Sequence, residues 1–163
     1  TLRSEFGRDV ATIRLSNVYG LDEKPRSTRP RVSLIKRMVQ EAIKSHKLSL
    51  FRDDPSRDWT FAPDIGSAVV SILNCKTLNH ALYNVASEQV HSPLDIAAII
   101  QSLIPDVSLD IREGTNPNMP ILTRRGYLSH ERLQADTCFK DWTPFEEGIR
   151  QVIIEQQNRE LVT

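Results

Sequence analysis

The sequence predicts an α/β fold, in which parallel strands alternate with helices, and three observations carry that reading. Val10-Ala11-Thr12-Ile13-Arg14-Leu15 is a compact β-branched run between Gly7 and residues 17–20, the pattern of a strand buried in a parallel sheet. Apolar residues then recur at helical spacing in several windows, each opened by a residue suited to capping. Short runs of strand type separate those windows. A helix, a short turn and a strand in succession form half of a doubly wound unit.

Taken in order, residues 2–7 read as the tail of a helix stopped by Gly7, and the absence of an initiator Met suggests a cut end. The strand 10–15 follows, then a turn at 17–20 and an exposed loop over 21–31, rich in Pro, Lys and Arg. Val32, Ile35, Val39, Ala42 and Ile43 mark a helix started by Ser33 or a neighbour and closed by cationic residues at 44–47. Leu48-Ser49-Leu50-Phe51 is a short strand, and 52–56 a turn. Arg57-Asp58-Trp59-Thr60-Phe61 alternates large apolar residues as a strand does, and Asp64 is placed to cap a helix carrying Ile65, Ala68, Val69, Ile72 and Leu73. Residues 82–86 form another strand. Ser92-Pro93-Leu94-Asp95 combines a cap, a proline and an acid, and opens a helix that ends before Pro105. Residues 107–111 are a strand candidate and 114–120 a loop. Thr143-Pro144-Phe145-Glu146 repeats the cap pattern before a last helix with Ile149, Val152 and Ile153.

The totals exclude several functions. A chain of 163 residues is about one domain's worth, and 39% apolar with 26% charged residues is ordinary for a globular protein. With 21 cationic and 21 acidic residues, the balance argues against a nucleic-acid or anionic-membrane surface. No apolar run approaches the roughly 18 residues of a membrane span, and no signal peptide is visible. Cys75 and Cys138 stand apart, without metal-site spacing, and read as buried or idle thiols of a cytoplasmic protein. His46, His80, His91 and His130 are scattered and read as surface or loop residues. Glycines occur singly, so neither GxGxxG nor a P-loop exists here. Spacing alone identifies no catalytic centre. Arg57 at a strand mouth beside a helix start suits an anion such as phosphate, while a surface ion pair with Asp58 explains the same two residues.

Four segments taken together resemble one family. Arg14-Leu15-Ser16-Asn17-Val18-Tyr19-Gly20 is similar to the R-x-x-N-x-Y-G segment of the extended short-chain dehydrogenase/reductases. Arg57-Asp58-Trp59-Thr60-Phe61, with Asp64, resembles the R-D-[WY]-x-[YF]-V-x-D segment of their nucleotide-sugar epimerases and dehydratases. Tyr83-Asn84-Val85-Ala86-Ser87 resembles their Y-N-[VIL]-G-[SG] strand, and Arg132-Leu133 to Trp142-Thr143-Pro144 with Glu146-Glu147-Gly148-Ile149 resembles their last sugar-lobe segment. Ala62-Pro63 departs from the family's usual Val-x, and Tyr127-Leu128-Ser129-His130 lacks a common Asp, leaving His130 or Ser129 as the cap.

The resemblance implies the C-terminal part of a Rossmann-type doubly wound domain plus a small mixed α/β substrate-binding lobe. Residues 1–20 and 58–88 would complete the dinucleotide sheet, and 21–57 and 89–163 would form the lobe. The family's Gly-rich turn and Tyr-x-x-x-Lys pair precede the matched strand, and no Tyr-x-x-x-Lys occurs here, so no catalytic residue is assigned. NAD is the implied cofactor, with NADP left open, bordered by Leu15, Ser16 and Val18. Asn17 would face the substrate, although a turn role explains it too. Ser33 and Leu34 match the helix start that receives the substrate diphosphate, and capping alone explains Ser33 equally well. Ser49, Leu50 and Phe51 match the strand that holds the base, with core packing as the other reading. Arg57 matches the arginine that grips the diphosphate, and Arg125 or Arg124 a second cation or ribose contact. A nucleotide sugar is the implied partner, and family habit implies a homodimer for the full-length protein. Two further readings stand beside an epimerase or dehydratase portion: a non-catalytic sensor of a dinucleotide or sugar nucleotide, and a ketone reductase of the same extended family.

Overall fold

The computed structural model describes residues 10–28, 30–117 and 126–161. The helix tail expected at 2–7, Arg124 and Arg125 lie outside the described residues. Strand β1 (Thr12–Leu15) pairs in parallel with β5 (Leu82–Val85), Thr12 opposite Leu82. Strand β2 (Asn17–Tyr19) pairs in parallel with β4 (Arg57–Phe61), and β4 in turn runs antiparallel to β6 (Val90–His91). Strand β3 (Lys47–Phe51) pairs in parallel with β7 (Ser108–Arg112), Lys47 opposite Ser108. Helices α1 (Leu34–Ser45), α2 (Ala62–Asn74), α3 (Pro93–Leu103), α4 (Glu131–Thr137) and α5 (Phe145–Leu161) fill the connections. Parallel strands with helical connections make this an α/β fold, as the sequence predicts.

The packing forms two apolar clusters among the described residues. The larger gathers Ile35, Val39 and Ala42 of α1, Trp59 and Phe61 of β4, Ile96 and Ile100 of α3, and Ile149 and Val152 of α5. The smaller joins Ala68 and Ile72 of α2 to Tyr83 and Val85 of β5 and Leu133 of α4. Ser92 and Asp95 form the expected capping box, each side chain bonding the other residue's backbone N–H. Ser33 caps α1 by accepting from the Lys36 N–H at 3.1 Å.

Several expectations are corrected. Strand β1 is not buried: Ile13 is 39% and Leu15 42% exposed, because β5 is its one sheet neighbour among the described residues. Residues 17–19 are strand rather than turn, since the chain leaves one sheet and joins another there. Asp64 is not the N-cap of α2. Phe61 holds that place and Pro63 fits the first turn, where its missing N–H leaves no bond unmade. Asp64 instead accepts from the Thr143 N–H (2.9 Å) and hydroxyl (2.7 Å), tying α2 to the start of α5. His130 holds the N-cap position of α4 by backbone, but its ring makes no cap bond and its Nδ1 lies 2.8 Å from the Ala86 carbonyl. His91 is not a loop histidine either, as it stacks on Phe145 with centroids 4.0 Å apart. Neither cysteine is fully buried: Cys138 is exposed, and Cys75 donates to the Thr77 and Asp136 carbonyls at 3.1 Å each.

Two contacts set where α5 sits. Lys36, 1% exposed on the apolar face of α1, donates to Glu155 at 2.7 Å. Glu155 also accepts from the Asp22 N–H and from Arg159, and Arg159 reaches Asp22 at 2.6 Å. Tyr19, 1% exposed, packs on Phe61 and Phe145 with centroids 5.3 and 5.5 Å away. Its hydroxyl is buried with no hydrogen-bond partner, and burial, together with the nearby Asp64 charge, pushes its pKa up. A Cβ at Gly148 would overlap that hydroxyl, so glycine there lets α5 approach β2.

Glu155→Ala leaves the Lys36 ammonium buried without its partner and should cost about 3 kcal/mol or more in urea unfolding, with much of the loss recovered by adding Lys36→Met. Gly148→Ala should cost about 2 kcal/mol by overpacking. Tyr19→Phe, which removes a hydroxyl that bonds nothing, should be neutral or stabilising alone and should rescue Gly148→Ala in the same assay.

Candidate functional site

Ser16 is where the chain crosses from the β1–β5 ladder into the β2–β4–β6 sheet. Polar side chains fix that crossing. The Ser16 hydroxyl lies 2.7 Å from the Thr60 hydroxyl, which also accepts from the Ser87 N–H at 3.0 Å. The Ser87 hydroxyl donates to the Trp59 carbonyl at 2.7 Å, and the Asn17 amide donates to the Asp58 carbonyl at 3.0 Å. Strands that part at their carboxyl ends leave a crevice between them, the usual ligand position in open α/β sheets.

A cavity of about 430 Å³ opens there, lined by Leu15, Ser16, Asn17, Val18, Ser33, Leu34 and Trp59. A second, of about 560 Å³, shares Leu15, Ser16 and Asn17 and continues past Arg14 and Asp58 to Tyr127 and Leu128. Six of the residues singled out from sequence thus meet in one cleft: Leu15, Ser16, Asn17, Val18, Ser33 and Leu34. The cleft places the Ser33 end of α1, where helix geometry leaves N–H groups and a partial positive charge, beside the end of β1.

The other candidates lie elsewhere. Ser49, Leu50 and Phe51 belong to β3 and line neither cavity. Ser49 is exposed and donates to Asp110 at 3.4 Å, Leu50 is buried in the larger cluster, and the Arg112 guanidinium sits 5.9 Å from the Phe51 ring centroid. Arg57 is buried at the start of β4 opposite His91, with Nη1 3.5 Å from the Ser56 carbonyl, and also lines neither cavity. Arg125 lies outside the described residues.

Sequence reasoning passed over Trp59 and Asp58 as site residues. Trp59 forms part of the cleft wall and anchors its ring by donating to the His91 carbonyl at 3.2 Å. Asp58 is 3% exposed: one carboxylate oxygen accepts from the Leu128 N–H at 3.0 Å and the other is buried without a hydrogen-bond partner. Burial pushes its pKa up, against the opposing pull of the Leu128 bond. The only sequence signal for either was their place in the Arg57–Asp64 stretch. Among the described residues no three His, Cys, Asp or Glu side chains group as a metal site, and no helix is long and apolar enough to cross a membrane.

With this geometry in place, the likeness to known proteins is specific. The model of the NAD dependent epimerase/dehydratase family matches residues 1–86. The chain belongs to that family. The trifunctional UDP-glucose 4,6-dehydratase/UDP-4-keto-6-deoxy-D-glucose 3,5-epimerase/UDP-4-keto-L-rhamnose-reductase of Arabidopsis thaliana is 26% identical over 152 residues, 91% of this chain and 21% of that protein. The dTDP-glucose 4,6-dehydratase of Bacillus anthracis, solved in complex with NAD, superposes with a TM-score of 0.76 at 22% identity, covering 98% of this chain and 48% of that one. The UDP-glucose 4-epimerase of Thermotoga maritima, solved with UDP-glucose, gives 0.79 at 14% identity over 99% and 49%. These structures establish the shared fold, and the chain spans about half the length of each.

The buried Asp58 makes stability depend on pH in a stated direction. An unfolded aspartate titrates near about pH 4. Because the folded value is raised, the folded state holds the proton longer, so Asp58's share of stability is greatest in acid and is lost as pH rises through the folded value. Asp58→Asn should therefore gain stability relative to the parent chain on going from about pH 4 to 7. Urea midpoints across that range measure it, and a difference independent of pH would contradict the assignment.

Proposed function

We propose that this chain is the substrate-binding portion of an NAD-dependent nucleotide-sugar epimerase or dehydratase, working with a Gly-rich dinucleotide loop and a Tyr-x-x-x-Lys pair carried upstream of it. The observation that carries the reading is the shared cleft, in which the carboxyl end of β1, the start of β2 and the N-terminus of α1 converge. Residues 1–20 and 58–88 belong in this reading to the dinucleotide sheet, and 21–57 and 89–163 to the substrate lobe. The outer face of β1 and α2 supports it as well. Ile13, Val70 and Leu73, the last 77% exposed, present apolar surface beside a groove of about 730 Å³ lined in part by Val10, Val69 and Leu78. Apolar surface on an edge strand and the adjoining helix suits a protein–protein or interdomain contact, here with the remaining strands of the sheet.

Leu15, Ser16 and Val18 fit the edge of a nicotinamide ring: two apolar side chains and a polar backbone meet at a strand end held rigid by the Ser16–Thr60 bond. Bound NAD would supply reversible hydride exchange with the sugar. The chain's own part is positional. Asn17, oriented by its bond to the Asp58 carbonyl, faces the substrate, and Ser33 and Leu34 offer the α1 N-terminus to the diphosphate. Ser49, Leu50 and Phe51 would hold the base, Arg57 the diphosphate, and Arg125 a ribose or second phosphate contact. The working protein in this reading is a cytoplasmic homodimer.

Two measurements test the assignment. In the complete protein, Arg57→Ala should weaken binding of UDP-glucose or dTDP-glucose by about 1.5–3 kcal/mol, the worth of a hydrogen bond to a charged group. Unchanged dissociation constants for both sugars by calorimetry would refute the phosphate role. The isolated 163-residue chain should show no turnover of either sugar, and turnover by it alone would overturn the upstream placement of the chemistry.

A further inference from the structure

Strand β4 divides its side chains between the two cavities. Alternation along a strand sends neighbours to opposite faces, and here Trp59 lines the first cavity while Asp58 lines the second. The cavities meet at Leu15, Ser16 and Asn17, so the second continues the cleft past the strand crossing. Asp58 is 3% exposed within its wall. The Leu128 N–H donates to one carboxylate oxygen at 3.0 Å, and the other, Oδ1, is buried with no hydrogen-bond partner. Ser16 comes beside the carboxylate, one residue ahead of the Asn17–Trp59 pair in the ladder, but its hydroxyl lies 2.7 Å from that of Thr60. The Asn17 amide is taken by the Asp58 carbonyl. A buried acceptor left open costs stability, and a ligand that completes it recovers that cost on binding.

We infer that Asp58 is a sugar-recognising residue, whose Oδ1 accepts a hydrogen bond from one hydroxyl of the ligand's sugar held in the second cavity. The inference rests on the proposal that the cleft takes a nucleotide sugar. Charge decides which ligand group fills the place. A carboxylate oxygen accepts, so its partner must donate, which leaves a hydroxyl or an ammonium. Arg14 already brings a cation to the same cavity, and a second positive charge there is repelled. A neutral hydroxyl is the better match. The volume of about 560 Å³ is in the usual range for small-ligand sites. In this arrangement the anionic half of the ligand lies by Ser33 and Leu34 in the first cavity, and its neutral half lies past Asn17 in the second. Burial pushes the Asp58 pKa up, and an accepted hydroxyl bond, which favours the charged carboxylate, pulls it back down.

Calorimetry on the complete protein tests this with UDP, UDP-glucose and the series of UDP-glucose analogues that each lack one sugar hydroxyl. Asp58→Asn keeps an acceptor for the Leu128 N–H and replaces the free oxygen by an amide NH2, which exchanges a charge-assisted bond for at most a neutral one. It should weaken UDP-glucose about fivefold to tenfold and leave UDP, which carries no hexose, unchanged. In the parent protein one analogue should bind about tenfold more weakly than UDP-glucose. That difference should shrink in Asp58→Asn and vanish in Asp58→Ala, and a folded form of either variant decides the matter. UDP and UDP-glucose weakened by the same factor, or analogue losses that are the same in parent and variants, overturn the contact and leave the nucleotide-sugar reading standing. UDP, UDP-glucose and dTDP-glucose that all fail to bind the parent overturn the reading and the contact together.

Discussion

The crossing at Ser16 is the constraint on which the remainder depends. A strand that simply continued would bury its end in one sheet and leave no crevice. Here the Ser16, Thr60 and Ser87 hydroxyls, and the Ser87 N–H donated to the Thr60 hydroxyl, hold the chain while it moves from one strand neighbour to another. These groups are buried or half-buried, and satisfied hydrogen bonds in such a place are costly to leave unmade, which makes the crossing rigid. Leu15, Asn17 and Val18 take their places around the cleft because the backbone between them cannot relax.

A second layer of constraint comes from the far end of the chain. Helix α5 covers the larger apolar cluster and is keyed at both ends. Thr143 meets Asp64 near its start, and Glu155 and Arg159 meet Lys36 and Asp22 in its last turns. The polar groups are few, but each joins elements distant in sequence, so the orientation of α1 toward the cleft is decided by residues that never touch it.

Much of this was legible in the sequence because it is local. The helical stripes, the Ser92–Asp95 capping box and the Ser33 cap follow from residue types a few positions apart, and the structure keeps them. The convergence of residues 15–18 with Ser33 and Leu34 followed from motif order rather than periodicity. What escaped is long-range. Asp64 reads as a cap by local rules, yet its carboxylate is taken by Thr143, which lies far along the chain. Lys36 sits at an apolar stripe position only because Glu155 waits for it. Strand β1 has the composition of a buried strand, and composition does not say how many neighbours a strand has. Glu23 looked like one charge in a polar loop, and nothing within that loop indicated that its partner would be a helix terminus.

The one-sided pairing of β1 also governs how these residues behave as a material. Among the described residues no strand pairs with β1 on the side away from β5, where exposed Ile13 and Leu15 lie along it. Such an edge is a template for any other extended chain. Charged side chains on the strand give it little protection, since Arg14 is the only one within it. Handled by itself, the chain is therefore expected to be lost from solution as its concentration rises while its native packing holds, through contacts made along β1.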